Sequence, residues 1–259
     1  PICYSSFSFY KRELRCANNH TFDVSKYGYV NFNNKKINSK YKLDLFLNRR
    51  KIILSGFFDE IIDALINNIN ERAPINSLII DAGCGEGSIL YKINHFIPEY
   101  RYIGIDISKT AIKLAAKKYK DISWFVSNIS KINLRDESVN GIINFLTPAN
   151  YKEFNRILKK GGYLFKVIPC ENYLAEMRNV FLKDTIHSKT SEKEVQKIFL
   201  KNFQMVDEIE ILSKKQIFED LWHSMLNMTP LLWEANKIHD AILLNEVTLH
   251  LKILAGVKK

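Results

Sequence analysis

The chain has 259 residues, of which 46% are hydrophobic and 25% charged, enough to bury one sizeable core and a small additional module. Its net charge of +10 and pI of about 9.3 favour contact with polyanions such as nucleic acid or an anionic membrane surface. No apolar run reaches the roughly 18 residues of a membrane span, and the first residues lack an export signal, so a soluble cytoplasmic protein is predicted.

The N-terminal unit, residues 1–34, has the composition of short strands and turns without a helical period. A unit of this size usually needs a metal or a disulfide to hold its fold. Positive charge is concentrated here, because residues 1–60 contain eleven Lys and Arg residues against five Asp and Glu residues. We predict that this quarter of the chain faces a polyanion; the alternative is a basic surface that is only solvated.

A metal site is predicted within this unit. Cys16-Ala-Asn-Asn-His20 has a spacing that lets a thiolate and an imidazole bind one ion, and Cys3 lies thirteen residues before Cys16. Zn²⁺ held by Cys3, Cys16 and His20 is the prediction, with a chance grouping of these residues as the alternative. A closed structural site has four ligands. Because the first three residues resemble the end of a Cys-Pro-Ile-Cys knuckle, we expect the fourth ligand to be a cysteine immediately before residue 1.

The rest of the chain alternates strands with helices. Residues 35–48 are polar and basic and predict a linker, and a helical period from Arg49 to Asn70 is interrupted near Gly56. Strands are predicted at 77–81, 102–106, 122–126, 139–145 and 162–168, with helices at 88–96 and 109–119. Such alternation is typical of a parallel sheet covered by helices.

Residues 171–259 are predicted to form the edge of the same sheet. Helices are expected at 172–183, 191–201 and 216–226, and strands at 208–212 and 248–257. These strands resemble the antiparallel edge that closes many mixed sheets. The predicted fold class is therefore α/β, with a mostly parallel, Rossmann-like sheet over residues 49–259 behind the module at 1–34.

A glycine loop follows the first predicted strand. Asp81-Ala-Gly-Cys-Gly-Glu-Gly87 opens a helix, so its glycines let the backbone approach a ligand at the helix N-terminus. Asp106 ends the next strand about 20 residues later, where a carboxylate can bind a ribose diol. The loop lacks the G-K-[ST] of a triphosphate site. NAD stays an alternative, although its fingerprint is G-x-G-x-x-G and the loop here reads D-x-G-x-G-x-G. Asp106 can instead be a helix-capping or ion-paired carboxylate.

This loop resembles the first motif of class I S-adenosylmethionine-dependent methyltransferases. The resemblance implies that Asp81 and Gly83–Gly87, with Gly83, Gly85 and Gly87 among them, lie under the methionine end of the cofactor, and that Asp106 binds its ribose. In that family an acidic residue beyond the third strand often contacts the adenine amine. Asn128 stands at this place here, and its amide carbonyl can accept the same hydrogen bond.

Nearly the whole chain resembles the RlmA/TlrB family of 23S rRNA guanine-N1 methyltransferases, closest to its Gram-positive branch. The segments that carry the resemblance are Cys16–Asn31, Asp81–Gly87, Asp106–Lys109, Thr147–Tyr151, Lys166–Leu174 and Met228–Trp233. It implies methylation of a guanine in hairpin 35 of 23S rRNA, of the 748 type rather than the 745 type, with an effect on macrolide sensitivity. It also implies cofactor contacts from Phe58, Gly85, Glu86 and Tyr173, the last at a place where the family tends to have His.

The catalytic and RNA-binding residues are predicted less directly. In class I enzymes the loop after the fourth strand faces the methyl group, so Pro148 and Asn150 are candidates to grip the base, although a simple turn around Pro148 is an equal alternative. Aromatic side chains beside lysines predict a stacking surface for RNA, unless they form the core of the module. These are Tyr27, Tyr29 and Phe32 with Lys26, Lys35 and Lys36.

Two other functions fit part of the sequence. A small-molecule methyltransferase would share the glycine loop and Asp106, but it has no need of a basic zinc module. A non-catalytic RNA-binding protein with a methyltransferase-like fold would not need the glycines to be intact. The predicted partners are 23S rRNA and, from the frequency of symmetric dimers among soluble proteins, a second copy of the chain.

Overall fold

The computed structural model describes residues 3, 5–33, 43–181, 192–229 and 243–259. They form a small three-stranded sheet followed by a large eight-stranded sheet with helices on both faces. Across these residues, no helix has the length and apolar character needed to cross a membrane.

The small sheet contains strands β1 (Phe7–Tyr10), β2 (Glu13–Cys16) and β3 (Thr21–Asp23), paired antiparallel in that order. Its apolar contacts are aromatic: the ring of Phe22 lies 5.6 Å from Phe7 and 5.0 Å from Phe32, centroid to centroid. Phe32 in turn stacks at 5.4 Å on Phe125 of the large sheet. This row of rings joins the small sheet to the large one.

Strand β4 (Val30–Asn31) belongs to the large sheet although it lies within the predicted N-terminal module. It pairs in parallel with β7 (Ser123–Val126), with Val30 opposite Phe125. The buried side chain of Val30 explains the pairing, since an apolar edge residue gains by covering the sheet. The module is therefore attached to the large sheet through its own last strand.

The predicted linker at 35–48 is wrong for its second part. Helix α1 (Leu43–Leu54) begins inside it, because Leu45 and Phe46 pack with Ala111 in a small core that the polar neighbours obscure in the sequence. Residues 35–42 lie outside the described residues. The predicted break near Gly56 is confirmed: Gly56 has φ of +91°, and helix α2 (Asp59–Arg72) begins three residues later.

The large sheet has the order β10-β11-β9-β8-β5-β6-β7-β4. Its remaining strands are β5 (Leu78–Ala82), β6 (Arg101–Asp106), β8 (Val139–Phe145), β9 (Leu158–Pro169), β10 (Phe203–Gln216) and β11 (Glu246–Lys258). All pairs are parallel except those of β11, which runs antiparallel to both β9 and β10. The Rossmann-like, mostly parallel sheet with an antiparallel edge is thus confirmed.

The helices fill the two faces of this sheet. They are α3 (Ser88–Phe96), α4 (Lys109–Lys118), α5 (Tyr151–Ile157), α6 (Ala175–Phe181), α7 (Glu192–Asn202) and α8 (Glu219–Asn227). The core on one face contains residues of α1, α2, α3, α4, α6 and α8, and the core on the other face contains residues of α5 and α7. Helix α5 was not predicted, and β10 is much longer than the predicted 208–212 because its strict alternation of exposed and half-buried residues hides an edge strand.

Candidate active site

A cavity of about 240 Å³ opens where β5, β8 and β9 end. Six of the residues predicted to contact the cofactor line it: Phe58, Asp81, Gly83, Gly85, Glu86 and Tyr173. This is the expected position for a ligand, because the carboxyl ends of parallel strands and the loops after them form a crevice at one edge of the sheet.

The glycine loop between β5 and α3 is held by Asp106. Its Oδ2 accepts from the Gly85 amide at 2.9 Å, and its Oδ1 accepts from the Ser108 amide at 2.7 Å. At Gly85 the backbone has φ of +56°, and among the described residues an added Cβ would meet only the Arg49 guanidinium, 3.9 Å away. The loop is therefore open to a ligand at Gly85. Asp106 does not line the cavity, and ribose binding by it stays a prediction, although its carboxylate has lone pairs left to accept hydroxyl hydrogen bonds.

Gly87 is required by packing. A Cβ at this position would lie 2.5 Å from the Trp124 ring and 3.0 Å from Ala115, and the residue caps α3 at φ of +85°. Gly87 does not line the cavity. The motif thus combines a glycine that faces the cavity with one that lets a helix pack closely on the sheet.

Asp81 is the buried acid of the cavity wall. It is 1% exposed, and its Oδ1 has no hydrogen-bond partner among the described residues. Burial and the nearby Asp106 raise the pKa of Asp81 to about 8. An unpartnered buried carboxyl group favours a ligand that brings a positive charge or hydrogen-bond donors. S-adenosylmethionine carries an ammonium at its methionine end, so the cavity fits this cofactor.

Glu86 stabilises the start of α3. Its Oε2 pairs with the Arg50 guanidinium and accepts from the Ser88 hydroxyl at 2.9 Å, while its Oε1 accepts from the Ser88 amide at 3.1 Å. Because both oxygens are engaged by the protein, the Glu86 side chain is a structural support at the cavity edge. A cofactor contact by Glu86 stays a prediction.

Two aromatic residues predicted to contact the cofactor, Phe58 and Tyr173, line the cavity. Phe58 is 4% exposed and meets Phe145 edge-to-face at 5.7 Å, and Tyr173 lies on the loop after β9. Burial raises the pKa of Tyr173 to about 12, so its phenol stays protonated and can donate.

Three other predicted site residues lie outside the cavity. The Asn128 Oδ1 accepts from the Ser130 amide at 2.9 Å, and the Asn150 Oδ1 accepts from the Glu153 amide at 3.0 Å as the N-cap of α5. The carbonyl of Pro148 accepts from Asn144 at 3.2 Å. Their predicted roles at the adenine and at the base remain predictions.

Sequence reasoning missed Arg49, Thr147 and Met228, which also line the cavity. The Arg49 guanidinium donates to the Met228 carbonyl at 3.2 Å across 179 positions of the chain, a contact that no local pattern signals. Thr147 lies next to the predicted Pro148, and its hydroxyl comes within 2.8 Å of a Cβ added at Gly83. Of the Thr147–Tyr151 run, Thr147 is the residue that lines the cavity.

The predicted metal ligands converge in the small sheet. Cys3 Sγ lies 3.5 Å from Cys16 Sγ and 3.2 Å from His20 Nδ1, and Cys16 Sγ lies 3.4 Å from His20 Nδ1. Tetrahedral zinc with ordinary bond lengths separates such atoms by about 3.5 to 3.8 Å, so the three side chains fit one Zn²⁺ ion. Hydrogen bonds from Ser5 lower the pKa of Cys3 to about 6, which favours the thiolate that binds metal.

A second group of metal-type side chains contains Cys170, Glu210 and His250. The ammonium of Lys252 lies 3.0 Å from Glu210, and His250 Nδ1 accepts from the Asn172 amide at 3.1 Å. The lysine supplies the positive charge that a metal would bring. This group is therefore an internal ion-pair network.

The aromatic residues predicted to stack on RNA differ in exposure. Tyr29 is 6% exposed and packs in the main hydrophobic core, and Phe32 lies in the aromatic row between the two sheets, so both are packing residues. Tyr27 is half-buried and has three lysine ammoniums around its ring: Lys117 at 4.8 Å, Lys26 at 5.3 Å and Lys113 at 5.6 Å from the centroid. We call these four residues the Tyr27 patch. Lys35 and Lys36 lie outside the described residues.

The comparisons with known proteins agree with both units. A family model described as "RlmA, N-terminal" matches residues 1–34, and one described as "Methyltransferase domain" matches residues 79–162. Bacillus subtilis YxjB, described as "Putative 23S rRNA (guanine-N(1)-)-methyltransferase", is 33% identical over all of this chain and 96% of its own length. The "23S rRNA (guanine(748)-N(1))-methyltransferase" of Streptomyces fradiae is 26% identical over 96% of this chain and 92% of its own.

Among solved structures, a Bacillus halodurans protein described as a "putative methyltransferase" superposes with a TM-score of 0.51 at 15% identity. The superposition covers 75% of this chain and 97% of that one. At this identity the likeness supports the fold alone, and the fold is that of a class I methyltransferase.

Proposed function

The chain belongs to the family of 23S rRNA guanine-N1 methyltransferases with an RlmA-type N-terminal zinc ribbon, and we propose that it methylates N1 of a guanine in 23S rRNA. S-adenosylmethionine is the cofactor and zinc the structural metal that these two units imply. The observation that carries the proposal is the full-length match to YxjB, which spans the ribbon and the catalytic sheet together.

The cofactor supplies an electrophilic methyl group on a sulfonium. We propose that the chain holds the cofactor at the carboxyl end of β5. The main contacts are the open backbone at Gly85 and the unpartnered carboxyl group of Asp81. With so reactive a methyl donor, the protein needs mainly to orient the base, because a near-attack geometry removes much of the barrier.

The base is proposed to meet the turn after β8. Thr147 supports this choice because it lines the cavity, and Pro148 beside it is exposed. A carbonyl of this turn can accept a hydrogen bond from the N1–H of guanine, and this proton is released to solvent when N1 gains its methyl group. Asn150 is proposed to help grip the base. Since its side chain also caps α5, Asn150→Ala must be compared at equal folded fraction, and unchanged turnover on rRNA would remove it from the mechanism.

RNA is proposed to cross the Tyr27 patch. Its lysines come from two elements, Lys26 from the turn after β3 and Lys113 and Lys117 from α4, and none of them forms an ion pair with a described carboxylate. Ammonium groups left free of carboxylates are available to phosphates. The patch therefore supports an RNA path that runs along both the ribbon and the catalytic domain.

The finer assignment follows the Streptomyces fradiae relative, whose name specifies guanine 748. We propose a target of that type in hairpin 35, with a consequent effect on macrolide sensitivity, and cytoplasmic action on the ribosomal RNA. A homodimer stays a prediction.

Transfer of labelled methyl from S-adenosylmethionine to unmodified 23S rRNA tests the proposal. Label in RNA supports it, and Asp81→Asn, which removes the proposed partner of the cofactor ammonium, should lower the transfer. Cofactor binding without transfer to RNA would favour a small-molecule methyltransferase, and failure to bind cofactor would favour a non-catalytic RNA-binding protein.

A further inference from the structure

Lys166 on β9 is a buried lysine beside the cavity. It is 5% exposed, and its ammonium donates to Asn144 Oδ1 at 2.7 Å and to the Thr147 carbonyl at 3.0 Å. Among the described residues no carboxylate forms an ion pair with it, in contrast to Lys252, the buried lysine of the neighbouring strand, which pairs with three glutamates. An ammonium buried among neutral oxygens is costly and needs a reason.

The contacts of Lys166 lead directly to the cavity wall. Asn144 Nδ2 donates to the Ala82 carbonyl at 2.8 Å and to the Thr147 hydroxyl at 2.6 Å, and that hydroxyl donates to the Ala82 carbonyl at 3.1 Å. Ala82 immediately precedes the glycine loop. One hydrogen-bonded network therefore connects the turn at 146–148 to the start of the cofactor loop, and Lys166 is its only charged member within the part of the chain that the structure describes.

The turn held by this network is strained. Leu146 has φ of +50°, a left-handed conformation that is unfavourable for a non-glycine residue. Leu146 and Thr147 both line the cavity, and the Leu146 amide is fixed by the Val167 carbonyl at 3.1 Å. Such a turn keeps its shape only if neighbouring groups determine it, and charge-assisted hydrogen bonds are the stronger kind.

We propose that Lys166 is a positioning residue for methyl transfer, which through Asn144 and the Thr147 carbonyl fixes the 146–148 turn against which the target base is held. This inference rests on the proposed function. A misplacement of about 1 Å at such a turn lowers turnover by about 100-fold. Lys166 acts through its partners, since it does not itself line the cavity.

The test compares Lys166→Met with Lys252→Met, a matched loss of a buried lysine on the same sheet face. We expect Lys166→Met to lower kcat on rRNA by about 100-fold with the Kd for S-adenosylmethionine changed by less than about threefold. Lys252→Met should keep kcat at equal folded fraction. If Lys166→Met does not fold, Lys166→Gln, which retains a donor, should show an intermediate loss.

Hydrogen exchange provides a readout that does not depend on the RNA substrate. The Leu146 amide, which donates to the Val167 carbonyl, should exchange at least about tenfold faster in the Lys166 variant than in the wild type and in Lys252→Met. Unchanged exchange overturns the inference, as does wild-type kcat in a variant whose exchange has increased. A wild-type protein that methylates no rRNA refutes the proposed function instead, and the exchange result still decides whether Lys166 holds the turn.

Discussion

Asp81 makes cofactor binding dependent on pH. With its pKa raised to about 8, this carboxyl group is mostly protonated at neutral pH, and the raising influences are burial and Asp106. A cationic ligand favours the ionised form, so binding should release about one proton near pH 6.5 and tighten as pH rises to about 8. Calorimetry in buffers of different ionisation heat measures this. Asp81→Asn should lose the pH dependence, and a wild-type Kd that is constant over this range contradicts the assignment.

Lys166 should leave a signature in the pH dependence of stability. Burial lowers the pKa of its ammonium from 10.5 to about 8, so between these values the unfolded chain binds more protons than the folded one. The free energy of unfolding should therefore rise with pH over this window, by on the order of 3 kcal/mol at most. Urea unfolding of wild type and Lys166→Met at pH 7.5 and 10 measures the difference, and parallel curves for the two proteins would contradict it.

At the scale of single residues, the sequence predicted what local motifs encode. Asp81 and Gly85 were found because a strand, a glycine loop and a helix follow one another in the chain. Arg49 and Lys166 escaped prediction because their roles depend on contacts with residues far away in the chain or on a neighbouring strand. The sequence could not show which aromatic side chains are buried. Tyr27 and Tyr29 are two positions apart, yet Tyr29 is buried and Tyr27 is half-buried.

Helix α4 allows the proposed RNA path to be tested, because it carries two lysines of the Tyr27 patch. Charge reversal of Lys113 and Lys117 should weaken RNA binding at least about tenfold and lower the slope of log K against log salt by about 2, because each lysine contributes about one phosphate contact. Cofactor affinity should not change.

The matched control is the same reversal at Lys193 and Lys197, two exposed lysines on α7. It changes net charge equally but leaves the Tyr27 patch intact. Equal losses in the two variants would show that only total charge matters, and an unchanged salt slope in the α4 variant would place the RNA elsewhere.

The zinc ribbon is expected to serve RNA binding without serving the cofactor. Cys16→Ser should lower bound zinc and weaken RNA binding, while S-adenosylmethionine binds as before, because no described residue of β1–β4 lines the cavity. Zinc release with a colorimetric chelator and calorimetry measure the two effects. Cys170→Ser, a change at the other cysteine-containing group, should keep its zinc; if it loses zinc, the ion-pair interpretation of that group is wrong.

The predicted bounds of helices and strands are wrong where long-range packing, and not the local sequence pattern, defines the element. The beginning of α1 was taken for a linker because its apolar residues contact Ala111 more than sixty positions later in the chain. β10 alternates between exposed and half-buried residues, as an edge strand does, and only the pairing with β11 defines its full length. The buried parallel strands were predicted closely because continuous apolar runs identify them.

In the whole molecule, the ribbon and the catalytic sheet form a continuous structure. Strand β4 extends the sheet beyond β7, the aromatic row crosses from Phe22 through Phe32 to Phe125, and the Tyr27 patch spans the same junction. A substrate that contacts the ribbon is thereby placed at a defined distance from the cavity. This arrangement suits a large folded RNA better than a small molecule.

Mapping the methylated nucleotide tests whether the protein is a 23S rRNA guanine-N1 methyltransferase. Unmodified 23S rRNA is incubated with the protein and S-adenosylmethionine, and N1 methylation is located by primer-extension stops, since a methyl group at N1 blocks base pairing. We expect one new stop at a guanine of hairpin 35, weaker with Asp81→Asn. Cofactor binding without any stop in 23S rRNA would contradict it.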